Sequence, residues 1–421
     1  MLDDGTPSFR HMAKKEISQE TFAFIEAHAG DNVQTLALQA ARYPKVNMSI
    51  AIIQIAARQT ARAKLPTWWE TNGLRYPQHL SMEQCSSEVT ARYKASLIPE
   101  RLKDGGSLTD LTGGFGVDFT CMAQGFTEAT YVERQEELCA LAEHNLPLLG
   151  LPHAQVVNAN AVDYLKEMPK QTVIFIDPSR RDLKGRKTVA ISDCEPNIAH
   201  LNDLLMEKAE MVIVKLSPML DISLALEALP NVREVHVVAV GGECKELLLV
   251  LSAQACSAEA RVVCINLPAN VADKWPEPFV FFRHEEASAE YVTATELEDY
   301  LYEPSSALLK AGAFRTVAAR YGLKKLHPSS HLYTSSELLA DFPGRVFVVI
   351  EQGGFGKREV KKIQTFTVKA NITVRNFPTS VLKLRKQLKL AEGGDFYLFA
   401  TTLADDDKQW ILCKKPVLQN L

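Results

Sequence analysis

The stretch Asp110-Leu-Thr-Gly-Gly-Phe-Gly-Val-Asp118 decides how this chain folds. A short apolar lead-in, Ser107-Leu-Thr109, precedes it, and the helix-like run Phe119-Thr-Cys-Met-Ala-Gln124 follows it. Three glycines between a strand and a helix form a turn in which a ligand can approach bare backbone. The pattern therefore predicts the first strand, turn and helix of an α/β fold.

The next strand candidate, Ala129-Thr-Tyr-Val132, ends in an acid. This acid, Glu133, follows Asp110 by 23 residues. An acid at the tip of the second strand is where the ribose of a nucleotide is held. Glycines alone occur in many tight turns, but the turn and the acid together favour a cofactor that contains a nucleoside.

Composition indicates an ordinary soluble globular protein. The chain has 421 residues, of which 46% are hydrophobic and 23% are charged, enough for two or three domains. No apolar run is long enough to span a bilayer. The eight cysteines include no Cys-x-x-Cys pair, which argues against a zinc site and a disulfide framework. We therefore expect a cytoplasmic protein without a metal and without a membrane partner.

Apolar residues at helical spacing predict an N-terminal helical region over 13–80. Strands and helices then alternate, which predicts a parallel sheet covered on both faces. The parallel strands are expected at 107–110, 129–132, 154–157, 172–176 and 211–216. Two further strands, 232–240 and 245–252, flank Gly241-Gly242 and predict a closing hairpin, so that the last strand is antiparallel. This ending disfavours a nicotinamide-binding dehydrogenase.

The pattern changes after Pro268. A small α+β unit is expected over 268–325 and a basic α+β region over 326–421. The predicted elements of the last region are strands at 345–350, 363–368, 396–401 and 409–413 and a basic helix at 379–390.

Positive charge is concentrated near the C-terminus, although the net charge of the whole chain is only −4. Ten Lys and Arg lie between Gly356 and Lys389 against one acid, which suits a polyanion. Three phenylalanines, at 355, 366 and 377, are interleaved with them, as stacking on RNA requires. A solvated basic face is the alternative. The residues expected to contact RNA are Lys357, Arg358, Lys361, Lys362, Arg375, Lys383, Arg385 and Lys386.

The glycine turn with Glu133 resembles the cofactor-binding signature of class I S-adenosylmethionine-dependent methyltransferases, and the closing hairpin resembles that family's topological hallmark. Asp177-Pro-Ser-Arg-Arg181, Tyr300-Leu-Tyr-Glu-Pro304 and Lys310-Ala-Gly312 are similar to a bacterial methyltransferase group. Its members carry a C-terminal THUMP-like domain, sometimes preceded by a small ferredoxin-like unit. THUMP domains elsewhere deliver structured RNA, chiefly tRNA, to a catalytic domain.

The resemblance implies an α/β fold in which a Rossmann-like class I methyltransferase sheet of seven strands, the last antiparallel, occupies 81–267. It implies an N-terminal helical region, a ferredoxin-like unit at 268–325 and a THUMP-like domain at 326–421. It also implies S-adenosylmethionine as the cofactor.

The resemblance assigns roles to the residues of the glycine turn and the second strand. Asp110 would hold the methionine ammonium, and Gly114 and Gly116 would admit the cofactor close to the backbone. Glu133 would accept hydrogen bonds from the ribose hydroxyls, and Arg134 would line the adenine pocket. The full set expected at the cofactor is Asp110, Thr112, Gly114, Gly116, Asp118, Glu133, Arg134, Asn160, Ala161 and Asp177.

Asn160 stands where the family often has an Asp that contacts adenine. An amide both donates and accepts hydrogen bonds, so that adenine recognition is still possible. Asp163 is the alternative residue for this contact.

Asp177-Pro178 follows the fourth strand, which in this fold delivers groups to the transferred methyl. Amino-methyltransferases of nucleic acids often have Asp/Asn-Pro-Pro-aromatic there, with the ring stacked on a flipped base. This chain lacks the aromatic residue, and Arg180 and Arg181 would instead clamp a phosphate or stack on a base. The expected catalytic residues are Asp177, Pro178, Arg180 and Arg181. Alternatively, Asp177 pairs with one of these arginines and only fixes the loop.

The expected function is methylation of RNA, either tRNA or rRNA, that the C-terminal region delivers. A protein or small-molecule methyltransferase is one alternative. An RNA-binding scaffold with a degenerate methyltransferase fold is another, because of the missing aromatic residue. Lys215, at the end of the fifth strand, either edges the substrate cleft or is simply a strand terminus.

Overall fold

The computed structural model describes residues 17–77, 79–180, 191–253, 259–272 and 274–416, which form two compact units. One unit holds the chain up to Val235 and the segments that begin at Glu246 and Leu267. The other holds His236–Lys245, Glu259–Asn266 and the chain from Pro276 onward. No helix among the described residues is long and apolar enough to cross a membrane.

The first unit begins with the helical region that the sequence predicts. Phe24, Ile25, Leu36 and Ile55 are buried in one of its apolar clusters, which explains the helical spacing of these residues. The helices are α1 Gln19–Ala27, α2 Val33–Leu38, α3 Met48–Lys64, α4 Pro66–Glu70, α5 His79–Gln84 and α6 Glu88–Ser96.

The sheet of the first unit confirms the predicted methyltransferase topology. Its strands are β1 Ser107–Asp110, β2 Glu128–Glu133, β3 Gln155–Asn158, β4 Gln171–Ile176, β7 Ala209–Leu216, β8 Val232–Val240 and β9 Glu243–Ser252. They lie in the order β3-β2-β1-β4-β7-β9-β8. The first five are parallel, whereas β9 runs antiparallel to β7. Helices of this unit are α7 Val117–Met122, α8 Glu136–Leu148, α9 Ala161–Glu167, α10 Ile198–Lys208 and α11 Ile222–Ala228.

The central strands are apolar because helices cover both faces of the sheet. Leu108, Val173, Phe175 and Ile213 share one buried cluster. The carboxyl ends of parallel strands meet at one edge of a sheet. β1, β4 and β7 therefore bring polar residues at or just after their ends to the same place. Beside them, β5 Ser179–Arg180 and β6 Cys194–Glu195 form a separate antiparallel ribbon.

The second unit includes His236–Lys245, which is the end of β8, the hairpin turn and the start of β9. β10 Arg261–Leu267 follows β8 in strand order, and β11 Phe279–Phe282 pairs antiparallel with β10. An eight-stranded sheet has the order β12-β14-β15-β13-β16-β19-β18-β17. Its strands are β12 Val292–Thr293, β13 Tyr300–Pro304, β14 Lys324–Lys325, β15 Tyr333–Ser335, β16 Gly344–Gly353, β17 Asn371–Val374, β18 Phe396–Thr402 and β19 Lys408–Lys414. The helices are α12 Arg283–Ser288, α13 Ser306–Ala311, α14 Phe314–Tyr321, α15 Lys357–Phe366 and α16 Val381–Leu388.

One predicted strand in this unit is wrong. The stretch 363–368 was expected to be extended, but α15 continues to Phe366 and the strand, β17, begins at Asn371. Val360 and Ile363 lie one helical turn apart and pack into the cluster that also contains Leu384. This tertiary packing outweighs the β-propensity of the β-branched residues that follow.

Candidate active site

Asp110 ends β1 and is 1% exposed. Its Oδ1 accepts a hydrogen bond from the Thr112 N–H at 2.9 Å, whereas its buried Oδ2 has no hydrogen-bond partner among the described residues. Burial raises the pKa of the Asp110 carboxyl well above its usual range. The Thr112 N–H opposes this shift, and the nearby carboxyls of Asp118, Asp177 and Glu133 add to it. A cationic ligand at Oδ2 would relieve this unfavourable burial.

The glycine turn is shaped by Tyr131 on the neighbouring strand. A Cβ atom at Gly113 would lie 2.1 Å from the Tyr131 ring, so only glycine fits there. The Tyr131 hydroxyl donates to the Gly114 carbonyl. Gly116 precedes α7 with φ 88°, a backbone conformation that favours glycine. The turn therefore presents backbone to the cleft without side chains.

Glu133 ends β2 and is tied to the turn. Its Oε2 accepts from the Gly114 N–H at 3.0 Å, and its Oε1 accepts from the Gln135 N–H at 2.9 Å. Each carboxylate oxygen retains a second lone pair for ligand hydroxyls.

All ten residues predicted at the cofactor line two adjoining cavities. The first cavity contains Glu133, Arg134, Asn160 and Ala161. The second contains Asp110, Gly114, Gly116 and Asp118. Thr112 and Asp177 line both cavities, so that the two form one cleft.

Asn160 caps α9. Its Oδ1 accepts from the Val162 N–H at 2.9 Å and from the Asp163 N–H at 3.4 Å. The amide nitrogen is therefore the group that Asn160 can offer to a purine. The alternative residue, Asp163, has a 74% exposed side chain 3.5 Å from Lys166 and is not among the residues lining the cavity.

Asp177 is held by a lysine. Its N–H donates to Thr112 Oγ1 at 2.7 Å, and its Oδ2 accepts from Lys215 Nζ at 2.6 Å. Lys215 therefore lines the cleft. Of the two interpretations of Lys215 from the sequence, the structure favours the cleft over a simple strand terminus. Pro178 is buried. Arg181 and the side chain of Arg180 lie outside the described residues.

A chain of alternating charges runs from Lys215 into the core. Lys215 Nζ lies 3.5 Å from Asp118 Oδ2, which accepts from Ser86 Oγ at 2.7 Å. Lys94 Nζ lies 3.2 Å from Asp118 Oδ1 and donates to Glu246 Oε1 at 2.5 Å. Lys94 is fully buried, so its ammonium depends on these two acids.

The pKa values follow from this arrangement. Burial raises the pKa of Asp118, but Lys94 and Lys215 oppose it and bring the value below the usual one. Burial lowers the pKa of Lys215, but the carboxylates of Asp177 and Asp118 outweigh it and raise the value above the usual range. Lys215 is therefore an ammonium group at neutral pH.

Sequence reasoning missed Lys94, Glu246 and Tyr131 as parts of the site. For Glu246 a signal was present, because a single acid stands directly before the apolar run of β9. Lys94 gave no comparable signal, since its acidic partners lie far away in sequence and only the fold brings them together.

The residues predicted to contact RNA fall into two groups. Lys357, Arg358, Lys361 and Lys362 on α15 and Lys383 and Lys386 on α16 are exposed, although Lys362 Nζ also lies 2.7 Å from Glu351 Oε2. Arg375 instead donates to Glu303 Oε1 at 2.9 Å, and Arg385 donates to the carbonyls of Ala370 and Ala391. These two arginines have structural partners, and their contact with RNA stays a prediction.

The cleft fits the methionine and ribose parts of S-adenosylmethionine. The buried, unpartnered Oδ2 of Asp110 suits an ammonium, and the side-chain-free turn at Gly113 suits a close approach. The remaining lone pairs of Glu133 suit a ribose diol. No group of three or more His, Cys, Asp or Glu able to hold a metal ion occurs within the described ranges.

Comparisons with known proteins show the family to which the chain belongs. A ferredoxin-like domain model matches residues 300–343, and a THUMP domain-like model matches residues 344–415. A crystal structure from Porphyromonas gingivalis W83 that is named "putative methyltransferase" is 36% identical, covers 94% of this chain and 97% of its own, and superimposes with a TM-score of 0.83. The chain belongs to this family of class I S-adenosylmethionine-dependent methyltransferases.

Two curated relatives of the methyltransferase come from Mycobacterium tuberculosis strains CDC 1551 and H37Rv and are named uncharacterized S-adenosylmethionine-dependent methyltransferases. Each is 25% identical over 320 residues, which is 74% of this chain and 80% of the relative. Membership in this family confirms S-adenosylmethionine as the cofactor. The four-domain division of the methyltransferase at 80, 267 and 325 stays a prediction.

Proposed function

We propose that this methyltransferase modifies RNA, either tRNA or rRNA, and that its C-terminal region delivers the substrate. The observation that carries the proposal is the basic surface of α15 and α16 within the THUMP-like match at 344–415. Helix α15 exposes four cationic side chains and α16 exposes two. An array of this kind binds a phosphate backbone.

The two basic helices lie side by side. Gln364 Nε2 on α15 donates to the Leu388 carbonyl at the end of α16 at 3.1 Å. Ile363 and Leu384 are buried in the same apolar cluster. The lysines on the outer sides of both helices therefore belong to one surface. Phe366, 39% exposed, supports the proposal as a stacking position.

Different residues of the chain have different roles in methyl transfer. S-adenosylmethionine, when bound, supplies a methyl group on a sulfonium that is ready for nucleophilic attack. Asp110 and Glu133 fix the two ends of the cofactor pocket, and Asp177 orients the acceptor. Arg180 and Arg181 hold a phosphate of the substrate. Catalysis then consists mainly of alignment, because a positioned pair of reactants needs no covalent help from the protein.

Transfer of labelled methyl groups to whole cellular fractions tests the proposal. We expect label in RNA, and not in protein or small molecules, when the full chain is incubated with fractions from cells that lack it. Label in protein or small molecules alone would overturn the RNA assignment. Cofactor binding without label in any fraction would favour the scaffold. The proposal places the enzyme in the cytoplasm, and the free cysteines of the described residues suit a reducing compartment.

A further inference from the structure

Lys215 places a positive charge directly beside Asp177, the carboxylate that the proposed function assigns to the methyl acceptor. Its Nζ donates to Asp177 Oδ2 at 2.6 Å, and both residues line the cavity that contains Asp110. The Lys215 side chain is 14% exposed, so part of it remains accessible from the cleft. Any acceptor atom positioned by Asp177 is therefore also close to an ammonium group.

The buried charges behind Lys215 keep this ammonium in place. Asp118 Oδ2 lies 3.5 Å from Lys215 Nζ, and Asp118 is itself held by Lys94 and Ser86. Glu246 supports Lys94 from the core. Because Lys215 is already held in position, its side chain needs little reorganisation when negative charge develops next to it.

In the part of the chain that the structure describes, the cleft offers no aromatic platform for a base. Among the described residues that line the two cavities, the aromatic side chains are Phe115 and Phe175, which are 7% and 1% exposed. The sequence from Asp177 to Asn197 contains no Phe, Tyr, Trp or His. Enzymes that methylate a base take it out of the stack and hold it between aromatic or apolar side chains. A sugar needs no such platform.

A positive charge at this point also discriminates between acceptor atoms. A hydroxyl oxygen loses its proton as it attacks and develops negative charge, which an adjacent ammonium stabilises. An amine nitrogen develops positive charge instead, which the same ammonium opposes.

We propose, on the basis of the RNA methyltransferase function above, that the acceptor is a ribose 2′-hydroxyl oxygen and that Asp177 and Lys215 activate it. A lone pair of the hydroxyl oxygen forms the O–C bond to the methyl carbon. The C–S bond breaks, and its electron pair stays on sulfur. The hydroxyl proton passes to Asp177 Oδ1 and then to solvent, while Lys215 stabilises the oxygen that loses it.

Alkaline hydrolysis of the labelled RNA tests the proposal with the unaltered protein. A methyl on a 2′-oxygen blocks cleavage of the adjoining phosphodiester, so that the label is expected in alkali-stable dinucleotides. Label released in mononucleotides that carry a methylated base would overturn the 2′-hydroxyl assignment and leave the RNA methyltransferase function standing. RNA without any label would overturn both.

A matched pair of lysine variants tests the role of Lys215. Lys103 also lies 2.6 Å from a carboxylate, that of Glu100, its side chain is 16% exposed, and it does not line the cleft. We expect Lys215→Met to slow transfer by about 100-fold or more and Lys103→Met to leave the rate unchanged. Calorimetry measures the cofactor affinity of both variants, so that their rates are compared at saturating cofactor. Equal rates for the two variants at saturating cofactor would overturn the assignment.

Discussion

The ring of Tyr131 fills the space in which residue 113 would carry a Cβ atom. The nearest atom of the Tyr131 ring would be only 2.1 Å from a Cβ atom at position 113. The Gly113 N–H also donates a hydrogen bond to the carbonyl of Val132, the residue that follows Tyr131 on β2, at 2.9 Å. The glycine turn and the second strand are therefore fitted to each other directly beneath the cofactor cleft.

Gly113→Ala should destabilise the methyltransferase by about 1–3 kcal/mol, because the added methyl group overpacks a buried contact. Gly30→Ala is the control, since nothing lies within 4 Å of a Cβ there. Urea denaturation measures both. A Gly113→Ala protein as stable as the control would show that the ring does not constrain the turn.

Asp110→Asn should weaken cofactor binding by about 10- to 100-fold, since a hydrogen bond to a charged group is lost. Isothermal titration calorimetry with S-adenosylhomocysteine measures the change. Asp104→Asn, at an exposed position before the same strand, should bind as the parent protein does. Unchanged affinity in Asp110→Asn would remove Asp110 from the pocket.

Cofactor affinity should rise with pH. Burial raises the pKa of Asp110, so the carboxyl of the free protein keeps its proton at pH values where an exposed Asp is ionised. An ammonium binds the carboxylate and therefore expels that proton. Calorimetry in two buffers of different ionisation enthalpy counts the protons released. We expect proton release at pH values near and below the raised pKa of Asp110, and no proton release when the cofactor binds to the Asp110→Asn variant. Equal proton release from the parent protein and from Asp110→Asn would mean that the proton comes from another group.

Lys94→Met should cost about 3–5 kcal/mol of stability, because Glu246 and Asp118 lose a buried partner. The double variant Lys94→Met/Glu246→Leu removes one stranded carboxylate and should recover part of that loss. Guanidinium unfolding of the parent protein, of Lys94→Met, of Glu246→Leu and of the double variant gives the coupling free energy. A double variant less stable than the single one would mean that Glu246 does not depend on Lys94.

Lys361→Ala and Lys386→Ala should each weaken RNA binding and lower the slope of log affinity against log salt by about 0.7–0.9. Arg385→Ala is the comparison, because Arg385 donates to two backbone carbonyls and its loss should lower stability more than affinity. Filter binding at several salt concentrations measures the slopes. Identical slopes in the parent protein and both lysine variants would mean that α15 and α16 do not contact the phosphates.

Local sequence patterns predicted the glycine turn, the strands of the first unit and the closing hairpin because each is set by residues close in sequence. The strand expected at 363–368 failed because the burial of Ile363 depends on α16, which lies outside any local window. The Lys94–Glu246 contact joins residues 152 positions apart, so only the folded sheet shows that these charges meet.

We infer that the Asp110 carboxyl and the Glu133 carboxylate hold opposite parts of one cofactor. A crystal structure with S-adenosylhomocysteine tests it most directly. We expect the amino group within hydrogen-bonding distance of Asp110 Oδ2 and the ribose hydroxyls within hydrogen-bonding distance of the Glu133 carboxylate. A ligand bound elsewhere, with Asp110 Oδ2 still unpartnered, would contradict it.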